Sequence, residues 1–257
     1  MAPEDLSFHR RETLPVSELF LAHQGEGPFA GVSSLFIRLQ GCPVQCSWCD
    51  TPETWRPGEI APARQMSSYD LLTEFDTMTP THQRIRNVVV TGGEPSLFYA
   101  GSHARTFWRF VNVARIMAGR DCAVEIETSG LPRNWKPPAV SGIEDWPMAK
   151  GLKDRLFVRW SPKLPSAGAH AVANTQTRLT DMVTALSCPG RGVTPKIVLK
   201  FAAANEADVV AIHERLDSDP GLKKLDLWVM PVASTREALA GHWSATLQEI
   251  ALEMGWN

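Results

Sequence analysis

The 257-residue chain carries 26 basic against 28 acidic residues, a formal net charge of −2, with no long block of either sign. That balance gives no electrostatic reason for bulk nucleic-acid or membrane-surface binding, and neither partner is expected. No segment approaches ~20 consecutive apolar residues, so no membrane-spanning helix is expected either. A chain of this length buries roughly 70–75% of its unfolded surface, enough for a core without disulfide staples. Residues 1–15 read as a polar N-terminal tail lacking the apolar run of a secretory signal. With five cysteines in the chain, that makes a reducing, cytoplasmic setting the expectation.

In chain order, strand-like runs fall at 33–39 (SSLFIRL), 86–91 (RNVVVT), 123–128 (AVEIET), 156–161 (LFVRWS), 196–201 (KIVLKF) and 225–230 (LDLWVM). Helical patterns lie between them. Leu71, Leu72, Phe75 and Met78 share one face, and Phe107, Phe110, Val111 and Ala114 another. A third helix is expected near 172–187, a fourth is marked by Val209, Ile212 and Leu216, and a last one spans about 244–255. Apolar strands alternating with helices predict an α/β fold: an incomplete, TIM-like barrel of about six parallel strands with flanking helices. The Pro- and Trp-rich stretch 131–155 has no clear period and reads as a surface excursion within a single domain spanning 1–257.

The unusual residues gather where these strands end. Cys42, Cys46 and Cys49, spaced C-x3-C-x2-C, follow the first strand; TGGEP (91–95) follows the second; ETSG (127–130) ends the third; SPK (161–163) ends the fourth; Met230-Pro231 closes the sixth. The C-terminal ends of the strands are where α/β barrels place their chemistry, so these motifs predict one active face. Three thiolates suit an iron–sulfur cube with one position left open, whereas a closed structural zinc site uses four ligands. A zinc site completed by a distant histidine such as His23, or cysteines without metal, is the alternative.

Cys122 opens an apolar run and reads as a small core residue, and Cys188, beside Pro189 and Gly190, as a loop residue. Trp48, between the last two cysteines, is either a shield over a cluster or a core aromatic. The paired glycines of TGGEP let the backbone approach a ligand closely, and Glu94 either takes a ligand's ammonium group or hydrogen-bonds within its loop. Arg38, on an otherwise apolar strand, needs an anion, either a ligand carboxylate or an internal ion pair. Lys200 reads as a solvated lysine near the same rim.

C-x3-C-x2-C with an aromatic before the last cysteine, followed by GGEP after the next strand, resembles the radical S-adenosylmethionine enzymes. The flanking HQGEGPFAG (23–31), FIRLQGC (36–42), CSWCDTPETW (46–55), ETSG and SPK narrow the resemblance to the 7-carboxy-7-deazaguanine synthase family, over most of 17–231. The resemblance implies a 4Fe–4S cluster on Cys42, Cys46 and Cys49 whose open iron is chelated by the amino and carboxylate groups of S-adenosylmethionine. It implies cofactor contacts from Ser47, Trp48, Cys49, Gly93, Glu94, Ser161, Pro162 and Lys163. A pterin substrate, 6-carboxy-5,6,7,8-tetrahydropterin, would meet His23, Gln24, Gly25, Glu26, Arg38 and Thr91. Mg2+ would bind Thr51, whose other reading, beside Pro52, is a turn or helix cap. The implied reaction is radical ring contraction to 7-carboxy-7-deazaguanine with loss of ammonia, served by a flavodoxin-type electron donor in a homodimer.

The chain departs from the family pattern at His23, where an apolar residue is common, at Pro43-Val44 in place of Asn-Leu, and at Met230-Pro231 in place of Gln-Pro. A terminal proline that reaches the substrate in some members has no counterpart at Asn257. Rival readings are another radical enzyme, such as a glycyl-radical activase, and a non-catalytic zinc or iron–sulfur binding module.

Overall fold

A computed structural model describes residues 12–60, 62–78, 85–100, 103–119, 121–136, 152–187, 192–233 and 235–256. Cys188, Pro189, Gly190, Asn257, most of the 1–15 tail and the 137–151 part of the expected excursion lie outside the described residues.

The described strands, numbered in chain order, form one eight-stranded sheet in the order β3-β1-β2-β4-β5-β6-β7-β8. The six expected strands are present as β2 (Ser33–Leu39), β4 (Asn87–Gly92), β5 (Ala123–Thr128), β6 (Leu156–Trp160), β7 (Lys196–Ala203) and β8 (Asp226–Pro231). They run parallel throughout. β3 and β8 end the sheet without pairing to each other, so the barrel is open.

Two strands were not expected. β1 (Thr13–His23) pairs antiparallel with β2, and β3 (Arg64–Ser67) pairs antiparallel with β1. The tail boundary at residue 15 is therefore corrected: Thr13, Leu14 and Pro15 already belong to β1, and Leu14 and Val16 are buried. Pro15 lacks an N–H but keeps its carbonyl, which accepts from the Gln40 amide at 2.9 Å. The β1–β2 register slips between Val16 and Glu18, which breaks the alternation a sequence reading depends on.

Helices cover one face of the sheet. They are α1 (Ser68–Met78), α2 (Ser96–Tyr99), α3 (Ala104–Ala118), α4 (Ala169–Ala173), α5 (Leu179–Leu186), α6 (Glu206–Ser218), α7 (Arg236–Leu239) and α8 (His242–Met254). α3 packs on β1, β4 and β5, α6 on β7, and α8 on β8. Phe107, Phe110, Val111 and Ala114 of α3 are buried as their spacing predicts, and Trp108 joins them. Burying each large apolar side chain of this kind stabilises the fold by roughly 1.5–3 kcal/mol. The single helix expected near 172–187 is two, α4 and α5. Between them Thr175 and Thr177 turn inward: their hydroxyls accept the Lys163 amide at 3.0 Å and the Leu131 amide at 2.8 Å.

Because side chains alternate across a strand, the other face of the sheet presents the intervening residues. They include Arg38 of β2, Thr91 of β4, Glu125 and Glu127 of β5, Arg159 of β6 and Lys200 of β7; Arg38 lies opposite Thr91, and Glu127 opposite Arg159. One face of the sheet is apolar and sealed by helices; the inner face sets these charged and polar groups among apolar ones such as Phe36, Phe157 and Val198.

Candidate active site

A cleft of about 870 Å³ opens at the C-terminal strand ends. It is lined by Cys42, Cys46, Trp48, Cys49 and Thr51 from the loop after β2, and by Thr91 to Glu94 after β4. Ser161 and Lys163 after β6, Lys200, Met230, Arg38 and the His23–Glu26 segment complete it. The expected site residues thus share one cleft with two exceptions. Ser47 faces away, its amide donating to Ala167 O at 2.9 Å and its hydroxyl to Ser166 O at 2.8 Å. Pro162 is buried and does not line the cleft.

The cysteine loop is irregular, and Gln45 takes a left-handed φ of 56° between the first two cysteines. Val44 and Cys46 pack on Ala167 and Ala171, with Cys42, Trp48 and Cys49 around them. Cys42, Cys46 and Cys49 are free cysteines. Burial, reinforced by the Glu94 carboxylate, pushes the Cys42 thiol up to about 12. Burial also raises Cys46, although the Lys163 ammonium opposes it. Such thiols hold their protons until a metal displaces them, which couples cluster binding to proton release. Trp55 Nε1 donates to Cys49 Sγ at 3.3 Å. Trp48 is fixed by its Nε1 donating to Ser166 Oγ at 3.3 Å, with Lys163 Nζ 5.5 Å from its ring centroid.

The TGGEP loop is built against the cysteine loop. A Cβ on Gly93 would lie 2.0 Å from Gly41 O, and one on Gly92, where φ is 113°, would lie 2.3 Å from the Leu39 amide nitrogen. Glu94 N donates to Gly41 O at 2.8 Å. Of the two roles open to Glu94, hydrogen bonding within the site is seen. Its carboxylate accepts from Ser96 N at 2.9 Å, from Ser129 N at 2.8 Å and from the Thr128 and Ser129 hydroxyls. The ETSG turn after β5 is thereby tied to the turn after β4.

The QGEG segment is held from below. Gln24 is buried; its Nε2 donates to Glu125 at 2.9 Å and to Glu127 at 3.1 Å, and its Oε1 accepts the Gly25 amide at 2.8 Å. Arg159, 3% exposed, donates to Glu26 O at 2.9 Å, Glu26 Oε2 at 3.2 Å and Glu127 Oε1 at 2.8 Å, and pairs with Glu125. Gly27, at φ 64°, lies flat on that guanidinium, where a Cβ would come within 3.1 Å. Glu127 also accepts the Thr91 hydroxyl at 2.7 Å. Lys200 is not a solvated lysine: its Nζ pairs with Glu26, because the inner face of β7 points at the QGEG segment. Burial would raise the Glu26 pKa, but Lys200 and Arg159 outweigh it and hold the carboxylate below its usual range. Burial raises the Glu125 carboxyl, more than Arg159 beside it lowers it. Glu125 and Arg159 were not singled out in the sequence. The available signal was the one that marked Arg38, a charge within an apolar strand.

Arg38 Nε lies 3.2 Å from Glu18 Oε2, and its terminal nitrogens have no partner among the described residues. The Thr51 hydroxyl does not cap the 3-10 turn that follows it; its contact is Cys49 Sγ at 3.7 Å, and it faces the cleft. Among the described residues no three His, Cys, Asp or Glu side chains group around a single metal ion. The three cleft-lining cysteines fit a multi-iron cluster better, since each thiolate there binds a different iron.

Residues 23–124 match the 4Fe-4S single cluster domain family. The 7-carboxy-7-deazaguanine synthase of Rhodospirillum rubrum is 33% identical over 188 residues, 70% of this chain and 68% of that protein. The protein of the same name from Pyrobaculum aerophilum is 29% identical over 237 residues, 91% of this chain and 87% of that protein. The protein of the same name from Escherichia coli strain K12 is 39% identical over 95 residues, 32% of this chain. The chain spans about half the length of some of these relatives, 43% for Escherichia coli and 54% for Buchnera aphidicola. The crystal structure of QueE from Escherichia coli superposes with a TM-score of 0.62 at 24% identity, over 100% of this chain and 97% of that one, a likeness of fold. With 33% identity to the Rhodospirillum rubrum protein over more than two thirds of both chains, the chain belongs to the 7-carboxy-7-deazaguanine synthase family.

Proposed function

We propose that this protein is a radical S-adenosylmethionine enzyme. It contracts 6-carboxy-5,6,7,8-tetrahydropterin to 7-carboxy-7-deazaguanine, with loss of ammonia, in 7-deazapurine (queuosine-type) biosynthesis. The observation that carries this reading is that three free cysteines and a wall of carboxylate, amide and guanidinium groups line one cleft. Cys42, Cys46 and Cys49 would hold a 4Fe–4S cluster, which when bound would supply the electron for reductive cleavage of S-adenosylmethionine and so the radical chemistry at the substrate's C6. Substrate and product differ by one ammonia, so the conversion requires no net oxidant.

The chain's own residues bind and orient. Gly93, Ser161, Lys163 and the Trp48 ring line the cleft near the cysteines and would hold the cofactor. Glu26 and Glu127, held by Arg159, accept hydrogen bonds from the N–H edge of the pterin, and the free arm of Arg38 takes its carboxylate. Thr51 offers one oxygen to a Mg2+ that keeps most of its water. Trp48 and Trp55 exclude solvent from the cysteines. Residues 1–257 act as one catalytic domain, as a homodimer in the cytoplasm, reduced by a flavodoxin-type donor.

The test is an anaerobic assay of reconstituted protein with S-adenosylmethionine, reductant, Mg2+ and the pterin, read by mass spectrometry. Formation of 7-carboxy-7-deazaguanine supports the reading. 5′-Deoxyadenosine without it retains the radical chemistry and rejects the substrate.

A further inference from the structure

Asp208 is a fully buried carboxylate with no place in the cleft. It is the third residue of α6, where an acid commonly reaches back to its own helix's N-cap amide. Here the helix is capped by Asn205, whose side chain accepts the Asp208 amide at 3.1 Å. One oxygen of Asp208 accepts the Ala204 amide at 2.7 Å, and the other leaves the helix to accept the Ser166 amide at 3.0 Å. Both are charge-assisted bonds at a helix N-terminus, which offset the cost of burying the charge.

Ser166 sits in the Pro165–Ala167 turn, the structure on which the cysteine loop rests. Ser166 O accepts the Ser47 hydroxyl, Ser166 Oγ accepts Trp48 Nε1, and Ala167 O accepts the Ser47 amide. Cys46 packs on Ala167. Each bond fixes the loop relative to the turn, and Asp208 fixes the turn relative to the barrel. We infer that Asp208 is a positioning residue for the iron–sulfur cluster, acting through the Pro165–Ala167 turn on the loop that carries Cys46 and Cys49. The inference rests on the cluster assignment above.

The test compares the full-length wild type with Asp208→Asn, which keeps one acceptor oxygen but turns an NH2 toward a backbone donor. After anaerobic reconstitution, iron loss to a chelator is followed together with thermal unfolding of the metal-free protein. Removing supporting partners of metal ligands typically weakens metal binding about 10- to 100-fold, so Asp208→Asn is expected to lose iron about 10-fold faster. Asn205→Ala, which weakens the same helix cap and leaves the Ser166 bond, is expected to lower thermal stability without that acceleration. Ser47→Ala is also expected to speed iron loss, and combined with Asp208→Asn to add less than its own effect, because both act through one turn.

Equal iron loss from Asp208→Asn and wild type, additive effects with Ser47→Ala, or the same acceleration in Asn205→Ala overturns the inference. If Asp208→Asn does not fold, Asp208→Glu, which keeps the charge but displaces the oxygens, is held to the same outcomes. A wild type that takes up no cluster contradicts the proposed function and removes this inference with it.

Discussion

Arg38 and Glu18 face each other across the β1–β2 ladder, with Arg38 Nε 3.2 Å from Glu18 Oε2 and the guanidinium carbon 5.8 Å from the Phe20 ring centroid. Glu18 is 56% exposed, so the pair contributes little to stability, but it aims the rest of the guanidinium along the cleft wall. Arg38→Ala is expected to raise the substrate KM about 10-fold or more, as loss of a charge-assisted pair does, and to spare uncoupled cleavage of S-adenosylmethionine. Glu18→Ala, which leaves the guanidinium in the cleft, should raise KM less than Arg38→Ala does. Equal losses in both activities, or equal effects of the two variants, would assign Arg38 a structural role.

Cys46→Ala removes one thiolate from the cleft. The reconstituted variant should lack the brown colour and broad visible absorbance of a thiolate-ligated cluster. Full iron and sulfide content in that variant would defeat the ligand assignment.

Gly93 has no room for a side chain against Gly41 O. Gly93→Ala is therefore expected to push the TGGEP loop off the cysteine loop and to lower both thermal stability and iron retention. Gly25→Ala, where a Cβ would meet nothing within 4 Å, should leave both unchanged. A Gly93→Ala protein as stable and as iron-replete as wild type would mean that the two loops do not depend on each other.

Much of the fold was legible because β2 and β4 to β8 are short apolar runs bounded by turn residues, and their ends fall within a residue or two of the pattern. β1 was not, since Pro15, Ser17 and Glu18 interrupt its alternation and its partner β3 follows more than 40 residues later. Within the site, Cys42, Cys46, Cys49, Thr91 and Gly93 could be located from spacing because they sit at strand ends. Arg159 and Glu125 lie inside strands that read as apolar; the β5–β6 register sets Arg159 opposite Glu127, and only its side-chain contact across to Glu125 shows that the two meet beneath Gln24 and Glu26. Asp208 could not be found this way, because its partner, Ser166, is 42 residues distant with no local pattern linking them.

The Glu26 carboxylate, held ionised by Lys200 and Arg159, gives the QGEG segment a pH dependence. Its folded pKa lies below the ordinary 4.5, so it stabilises the fold above that value, and the contribution is lost as pH falls through the lowered one. Glu26→Gln should therefore be less stable than wild type at neutral pH, with the gap in Tm closing under acid conditions. A gap that stayed constant or widened on acidification would show that Glu26 contributes nothing through its charge.

Thr51→Ala should blunt the response of turnover to added Mg2+ while leaving the cluster in place, since the hydroxyl is free of capping bonds. Thr51→Ser, which keeps the oxygen, should restore the response. Unchanged Mg2+ dependence in the alanine variant would remove Thr51 from the metal site.

The most direct measurement uses 6-carboxy-5,6,7,8-tetrahydropterin deuterated at C6 with the reconstituted, reduced protein. Hydrogen abstraction at C6 within this cleft predicts 7-carboxy-7-deazaguanine together with deuterium at the 5′ carbon of the cofactor's adenosyl group. Cofactor cleavage with no deuterium transfer and no deazaguanine would contradict the assignment of both substrate and site.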